Sequence, residues 1–214
     1  MEYVLLGWPE DGPTLTLDYR EFSYAGKFVM SATGKALVRS AEGGPVTGPP
    51  VTDDGEAAAD VVGAAAFDED RTDASVCRIR YITVRSDRRG DGIGPRLAAF
   101  VAERARERGY DRARIAVNNP FAYQALYRAG FHFTDEETGV AELVLDRPLG
   151  DGHGAAARTA GERSLDTYQA GLDRYRERDG TEEQPDLSAD ERAFLADKRG
   201  QAPPEPIEPP PRED

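Results

Sequence analysis

The stretch SDRRGDGIGPRL, residues 86–97, decides how this sequence is interpreted. It directly follows an apolar strand-like run, YITV at 81–84, and it leads into GPRLAAFVAERARERG at 94–109, where apolar residues recur at helical spacing. Glycine adopts backbone conformations closed to other residues and lets another group approach the main chain closely. A strand, a glycine-rich turn and a helix start therefore predict either a plain tight turn or a cradle of main-chain N–H groups for an anion.

Two arginines, Arg88 and Arg89, would add positive charge at the mouth of such a cradle. The stretch is not a Walker phosphate loop, because the lysine and the hydroxyl residue of that motif are missing. It is not the dinucleotide fingerprint G-x-G-x-x-G either, because Gly90, Gly92 and Gly94 follow the spacing G-x-G-x-G. An anion at this turn would therefore be held by main-chain amides and arginine.

From residue 61 onward, the apolar pattern predicts the element order β-β-α-β-α-β-β, with the glycine loop before the first helix. This order indicates a mixed α/β (α+β) fold and excludes a doubly wound repeat or a β-sandwich. Before residue 41, glycine and proline punctuate short strand-like patches, among which a helix is an open alternative. These patches are Tyr3–Leu6, Thr14–Asp18, Lys27–Ser31 and Lys35–Arg39.

The strand at 76–84 carries apolar residues on both faces, which is typical of a central strand of a sheet. Regular alternation predicts one face with Val76, Arg78, Arg80, Ile82 and Val84, and the other with Cys77, Ile79, Tyr81 and Thr83. This strand leads directly into the glycine loop, so its end is expected to border any ligand bound there.

The chain changes character after residue 149, which divides it into three parts. A domain at 1–149 is followed at 150–200 by a linker and two amphipathic helices, which Ser164 and Ser188 are expected to cap. The helices either pack on the domain or join two subunits as a homodimer. The last part, 201–214, is rich in proline and acidic residues and is predicted to be disordered or polyproline-like.

The charge balance limits the partners of this 214-residue chain. Acidic residues number 40 against 27 basic ones, for a net charge of −13, which argues against nucleic acid as a partner. The basic residues are arginines apart from Lys27, Lys35 and Lys198. An acidic, lysine-poor composition is typical of salt-loving cells, and a GC-rich genome is the alternative explanation.

The cysteine and histidine content and the length of the apolar runs exclude further classes of protein and site. Cys77 is the single cysteine, so no disulfide can form within the chain, and two isolated histidines do not indicate a metal site. The N-terminus shows no basic leader followed by an apolar core. No apolar run approaches the roughly 20 residues of a membrane span. We expect a cytoplasmic protein without a membrane partner.

Two motifs carry a resemblance to a known family. After the strand, the pattern Arg89-x-x-Gly92-x-Gly94 resembles motif A of the GNAT N-acetyltransferase superfamily, [Q/R]-x-x-G-x-[G/A] on a strand–loop–helix. Further along, NPFAYQALYRAGF at 119–131 resembles motif B of the same superfamily, which lies on a helix after a strand. The positions that match motif B are Asn119, Ala122, Gly130 and Phe131.

The resemblance implies a GNAT-like fold, a central mixed sheet with splayed strands flanked by helices, to which this chain adds a C-terminal helical extension. It implies acetyl-CoA as cosubstrate, with the pyrophosphate in the glycine cradle and the pantetheine arm between the splayed strands. An unidentified amine would attack the thioester directly, and a non-catalytic acyl-CoA sensor or scaffold with the same fold is the alternative. The implied cofactor-binding residues are Ile82, Thr83, Val84, Arg88, Arg89, Gly90, Asp91, Gly92, Ile93, Gly94 and Asn119.

The implied chemistry needs a donor for the acyl oxygen and a proton for the leaving thiolate. A bulge at Ile82–Val84 is expected to leave a main-chain N–H, such as that of Val84, free for the acyl oxygen. Tyr127 is the expected catalytic residue, as general acid. The family's tyrosine occupies the slot of Leu126, and one residue turns a helix by about 100°. Tyr123, one turn earlier, is therefore a second candidate.

The sequence also departs from the family pattern in and before the glycine loop. Pro95 follows the last glycine and has no N–H to offer a phosphate. The strand at 76–84 lacks the glutamate that many family members place there, and it carries Arg78 and Arg80 instead. These arginines either border an acceptor pocket that tolerates an acidic substrate or pair with carboxylates on neighbouring strands.

Overall fold

The computed structural model describes residues 1–30, 32–40, 60–150, 163–180 and 186–210. None of the helices in these ranges is both long and apolar enough to cross a lipid bilayer. The strands are β1 (Glu2–Gly7), β2 (Gly34–Arg39), β3 (Val61–Glu69), β4 (Val76–Val84), β5 (Arg112–Val117), β6 (His132–Glu137) and β7 (Leu143–Pro148). The helices are α1 (Ala25–Met30), α2 (Ile93–Glu107), α3 (Pro120–Arg128), α4 (Leu165–Arg178) and α5 (Ala189–Asp197).

The described strands form one sheet in the order β1-β2-β3-β4-β5-β7-β6. Strands β4 and β5 pair in parallel, and every other neighbouring pair is antiparallel. A parallel pair needs a crossover connection, which α2 supplies between β4 and β5. The mixed sheet flanked by helices confirms the predicted fold class.

The ladder between β4 and β5 ends before either strand does. It pairs Val76–Ile79 of β4 with Arg112–Ile115 of β5. Beyond this point, β4 continues to Val84 paired with β3 alone, and β5 continues to Val117 paired with β7 alone. The two strands therefore diverge at their carboxyl ends, next to the glycine loop.

A bulge in β4 reverses the predicted alternation of its side chains. In the β3–β4 ladder, Ala66 faces Tyr81 while Phe67 faces Ile79, so Arg80 is the extra residue. One extra residue moves the following side chains to the opposite face. Ile79 and Ile82 consequently both contact the α2-side core, and Tyr81 packs on the other side. The bulge lies earlier than the predicted Ile82–Val84.

The N-terminal part places a small core on the face opposite α2. Strands β1 and β2 contain the predicted patches Tyr3–Leu6 and Lys35–Arg39. The described residues of Lys27–Ser31 are helical instead, and the segment Thr14–Asp18 is irregular. The helix follows from burial, because Ala25 and Phe28 stand three residues apart and both enter the core of this face.

The C-terminal helices pack on the domain. Of the apolar stripe predicted for α4, Tyr168, Leu172 and Tyr175 are buried in the main core, whereas Leu165 is exposed. The Tyr175 hydroxyl donates a hydrogen bond of 3.2 Å to the carbonyl oxygen of Val117, the last residue of β5. Helix α5 packs on α3 through Phe194, whose ring centroid lies 4.9 Å from that of Phe121.

Residues 201–210, in the part predicted to be disordered or polyproline-like, lie against the domain. The Arg163 guanidinium donates a hydrogen bond of 3.0 Å to the carbonyl oxygen of Pro204. The Ile207 N–H donates one of 2.7 Å to the carbonyl oxygen of Arg128, at the end of α3. A proline-rich chain forms no internal hydrogen bonds, so its carbonyls are free for such partners. Residues 211–214 lie outside the described residues.

Replacement of Gly171 by alanine tests the docking of α4. A Cβ at this position would lie 2.1 Å from the Tyr123 hydroxyl oxygen, far inside van der Waals contact. We expect Gly171→Ala to lower the free energy of unfolding by about 1–3 kcal/mol through overpacking, measured by urea denaturation. Gly26→Ala in α1 is the control, because a Cβ there meets nothing within 4 Å. Equal stability of the two variants would contradict the close packing of α4.

Candidate functional site

A groove of roughly 670 Å³ lies at the carboxyl end of β4. The end of β4 and the glycine loop line one part of it, and α3 lines another. The segment before α1 and one residue of α5 complete the lining. The lining residues are Ser23, Tyr24, Ile82, Thr83, Val84, Arg88, Arg89, Gly90, Gly92, Ile93, Gly94, Pro95, Asn119, Phe121, Ala122, Gln124, Ala125, Arg128 and Glu191.

The glycine loop presents main-chain N–H groups at the start of α2. Gly90 and Gly92 have φ angles of 90° and 74°, in the left-handed region that favours glycine. Gly92 is the N-cap residue of α2, so the N–H groups of Ile93 and Gly94 belong to its first turn. Within the described residues, no group accepts a hydrogen bond from the N–H of Gly92, Ile93 or Gly94. These amides are available to an anion.

Two arginine side chains of the loop contact neighbouring polar groups. The Arg89 guanidinium donates hydrogen bonds to the Ser23 hydroxyl, at 3.0 Å, and to the Val84 carbonyl oxygen, at 3.5 Å. The Arg88 guanidinium lies 3.1 Å from a carboxylate oxygen of Asp91. Both arginines line the groove, and Asp91 does not. All the predicted cofactor-binding residues except Asp91 are therefore brought together.

The end of β4 offers further main-chain donors to the gap. The Arg85 N–H donates a hydrogen bond of 3.0 Å to the Val62 carbonyl oxygen, so this main-chain N–H faces β3. Because successive strand residues face opposite neighbours, the N–H groups of Ile82 and Val84 face the side from which β5 has diverged. The buried hydroxyl of Thr83, between them, has no hydrogen-bond partner in the described part of the chain.

Helix α3 turns a face of mixed polarity toward the groove. Asn119 caps the helix, and its side-chain oxygen accepts a hydrogen bond of 2.8 Å from the Ala122 N–H. The groove-lining residues of the helix recur at helical spacing, which places them on one face. They are Phe121, Ala122, Gln124, Ala125 and Arg128.

The structure does not bring Tyr127 to the groove. Its side chain is fully buried, and its hydroxyl accepts a hydrogen bond of 3.0 Å from the Phe133 N–H. Its ring contacts those of Tyr123 and Tyr168, at centroid distances of 4.9 and 4.8 Å. Burial raises the pKa of the Tyr127 hydroxyl. Tyr123 is buried in the same core, and so is Leu126, which occupies the slot of the family's tyrosine.

The two arginines of β4 are paired with carboxylates. The Arg80 guanidinium lies 2.6 Å from a carboxylate oxygen of Asp68 on β3, and that of Arg78 lies 3.4 Å from one of Asp70. Neither arginine lines the groove. Of the two interpretations of these residues, the structure favours the ion pairs.

Outside α3, three polar residues of the groove were not among the predicted site residues. Ser23 and Tyr24 come from the segment before α1, and Glu191 comes from the first turn of α5. Their place depends on contacts between parts of the chain far apart in sequence, for which the local pattern has no signal. The groove face of α3 could have been found, because it is the helical face opposite Tyr123 and Tyr127.

Comparisons with solved structures find similar chains of low identity. One is a nourseothricin acetyltransferase, at 22% identity and a TM-score of 0.41, covering 55% of this chain and 66% of that one. Another is an N-acetyltransferase from Staphylococcus aureus Mu50, at 16% identity and a TM-score of 0.42, covering 55% of this chain and 68% of that one. A third is a PaiA N-acetyltransferase from Thermoplasma acidophilum in complex with coenzyme A. It has 16% identity and a TM-score of 0.37, and the match covers 44% of this chain and 57% of that one.

A comparison with curated protein sequences finds no match. The sequence profile of the acetyltransferase (GNAT) family, in contrast, matches residues 9–131, more than half of the chain. The matched range contains the glycine loop, the diverging strands β4 and β5, and α3. The chain therefore belongs to the GNAT family of acetyltransferases.

Proposed function

We propose that this protein transfers the acetyl group of acetyl-CoA, the cosubstrate of its family, to the nitrogen of an amine. The observation that carries the proposal is the line of free main-chain N–H groups along one groove. Those of Gly92, Ile93 and Gly94 lie at one end, and those of Ile82 and Val84 lie along the gap. This arrangement matches a molecule with a diphosphate at one end and an acyl carbonyl at the other.

The glycine loop would bind the diphosphate. The start of α2 carries partial positive charge from the helix dipole, and its free N–H groups point at an anion bound there. Arg88 and Arg89 line the same part of the groove and add full positive charges. Asp91 neutralises part of the charge of Arg88 through their ion pair, outside the groove lining. Asn119 would act by capping α3, which fixes the start of the helix that lines the groove.

The end of β4 would hold the acyl group. Acetyl-CoA supplies a thioester, whose carbonyl oxygen gains negative charge when an amine attacks. The N–H of Ile82 or Val84 would donate a hydrogen bond to that oxygen, and a fixed donor of this kind stabilises the transition state by about 3 kcal/mol. Ile82, Thr83 and Val84 also border the narrow space in which the pantetheine arm would lie.

The attacking amine must be neutral, and the groove contains few groups that can accept its proton. Among the described groove-lining residues, Glu191 is the sole carboxylate. Its carboxylate accepts hydrogen bonds from the Ser188 N–H, at 2.8 Å, and the Ser188 hydroxyl, at 2.7 Å, so it serves the capping box of α5. The amine proton would therefore be lost to water, and the rate should rise with pH as the amine becomes neutral.

A non-catalytic acyl-CoA-binding protein is the second candidate. It is favoured by the burial of Tyr127 and by the engagement of Glu191 in the helix cap, since neither is free to move a proton in the groove. Both candidates bind coenzyme A, so catalysis is what distinguishes them.

Replacement of Gly92 by alanine tests the glycine loop. The side chain would be forced into a left-handed backbone conformation, and its Cβ would lie 2.9 Å from a guanidinium nitrogen of Arg96. We expect at least a tenfold weaker affinity for coenzyme A by isothermal titration calorimetry, because the free amides would be displaced. Gly109→Ala is the matched control, because it imposes the same kind of strain, at φ 94°, just beyond the other end of α2. Equal affinities in both variants would remove the loop from the binding site.

Release of free thiol from acetyl-CoA tests catalysis. We expect release above the hydrolysis background with at least one member of a panel of small amines, polyamines and peptide N-termini, screened at low and high salt. The rate should increase with pH, because the neutral fraction of the amine grows. Coenzyme A binding without thiol release in any mixture would support the non-catalytic candidate and contradict the transferase.

A further inference from the structure

We propose that Tyr24 is the proton donor of the groove, and that its hydroxyl protonates the sulfur of coenzyme A as the thioester is cleaved. The inference rests on the proposed function, since it concerns the same reaction. It assigns a catalytic role to a residue outside both sequence motifs.

The first observation is chemical. Breaking the thioester leaves a thiolate, and the departing sulfur needs a proton. Among the described groove-lining residues, the arginines keep their protons at any ordinary pH, and Glu191 is an acceptor when ionised. The hydroxyls of Ser23 and Thr83 are far weaker acids than a phenol. Tyr24 is the remaining group that can give a proton to sulfur.

The second observation is the position of the ring. The centroid of Tyr24 lies 6.1 Å from that of Tyr81, on the part of β4 that directly follows the bulge. This is the level at which β4 and β5 have begun to diverge, away from the glycine loop. The reacting end of an extended ligand that is anchored at the loop would lie there.

The third observation is the way in which the segment is held. The Ser86 N–H donates a hydrogen bond of 3.0 Å to the Glu21 carbonyl oxygen, and Arg89 donates one to the Ser23 hydroxyl. The segment before α1 is thereby tied at two points to the loop that follows β4. Arg89, which would contact the diphosphate, thus fixes the position of Ser23, the residue next to Tyr24.

The fourth observation is the conformation of Tyr24 itself. Its φ angle of 61° lies in the left-handed region, which is rare for a bulky residue and recurs at functional sites. About half of the side chain is exposed, and no described residue hydrogen-bonds its hydroxyl. The hydroxyl is free to reach a ligand.

The amine nitrogen forms a bond to the acyl carbon, the carbon–sulfur bond breaks, and its electron pair stays on sulfur. The Tyr24 hydroxyl gives its proton to sulfur, which becomes the free thiol. The nitrogen loses a proton to water, and the Tyr24 phenolate takes one back from water.

Tyr24→Phe removes this proton and keeps the ring. With an amine identified by thiol release, we expect kcat to fall roughly a hundredfold, within the range of general acid catalysis, while KM for acetyl-CoA changes little. Tyr19→Phe is the matched control, because Tyr19 lies on the same segment, is 75% exposed and does not line the groove. We expect its kcat to equal that of the unmodified protein.

A second measurement does not depend on turnover. Coenzyme A labelled with carbon-13 next to its sulfur reports the ionisation of the bound thiol by NMR. A phenol that donates a hydrogen bond to the thiolate lowers the pKa of the thiol. Tyr24→Phe should therefore raise the pKa of the bound thiol by about one unit, a tenfold change in its acid dissociation constant. An unchanged thiol pKa and kcat in Tyr24→Phe, or the same losses in Tyr127→Phe instead, would overturn the assignment. Absence of coenzyme A binding to the unmodified protein would overturn the proposed function, and the role of Tyr24 with it.

Discussion

The early end of the β4–β5 ladder is the constraint on which the site depends. A parallel pair that stops at Ile79 and Ile115 leaves one edge of β4 without a partner strand. Unpaired main-chain groups are costly when buried, so such an edge persists where a ligand or water can satisfy it. The same divergence leaves room for the groove, and the loop that follows β4 turns the first amides of α2 toward its end. The end of the strand and the start of the helix thus both supply main-chain donors beside one groove.

The elements that carry the glycine motif were predictable because they are neighbours in sequence. A strand, a glycine loop and a helix start lie within about 25 consecutive residues, and the left-handed φ angles of Gly90 and Gly92 show why glycine stands at these positions. The order of the elements from residue 61 could likewise be predicted, because apolar spacing distinguishes a strand from a helix. The profile match over residues 9–131 extends the family to most of the N-terminal part.

The position of the bulge, the burial of Tyr127 and the groove residues outside the two motifs were not predictable, because each depends on contacts distant in sequence. The extra residue Arg80 reverses which face Tyr81 occupies, and regular alternation has no means of showing it. Tyr127 is held in the core by a hydrogen bond from the N–H of Phe133 in β6, which the pattern of α3 alone does not show. Tyr24 and Glu191 reach the groove through the packing of α1 and α5, which no local pattern encodes.

A crystal structure of the protein with coenzyme A tests the central claim most directly. The account predicts diphosphate oxygens within hydrogen-bond distance of the Gly92, Ile93 and Gly94 N–H groups, and the pantetheine arm between β4 and β5. Coenzyme A bound elsewhere, with those amides hydrogen-bonded to protein groups and the two strands closed on each other, would contradict it.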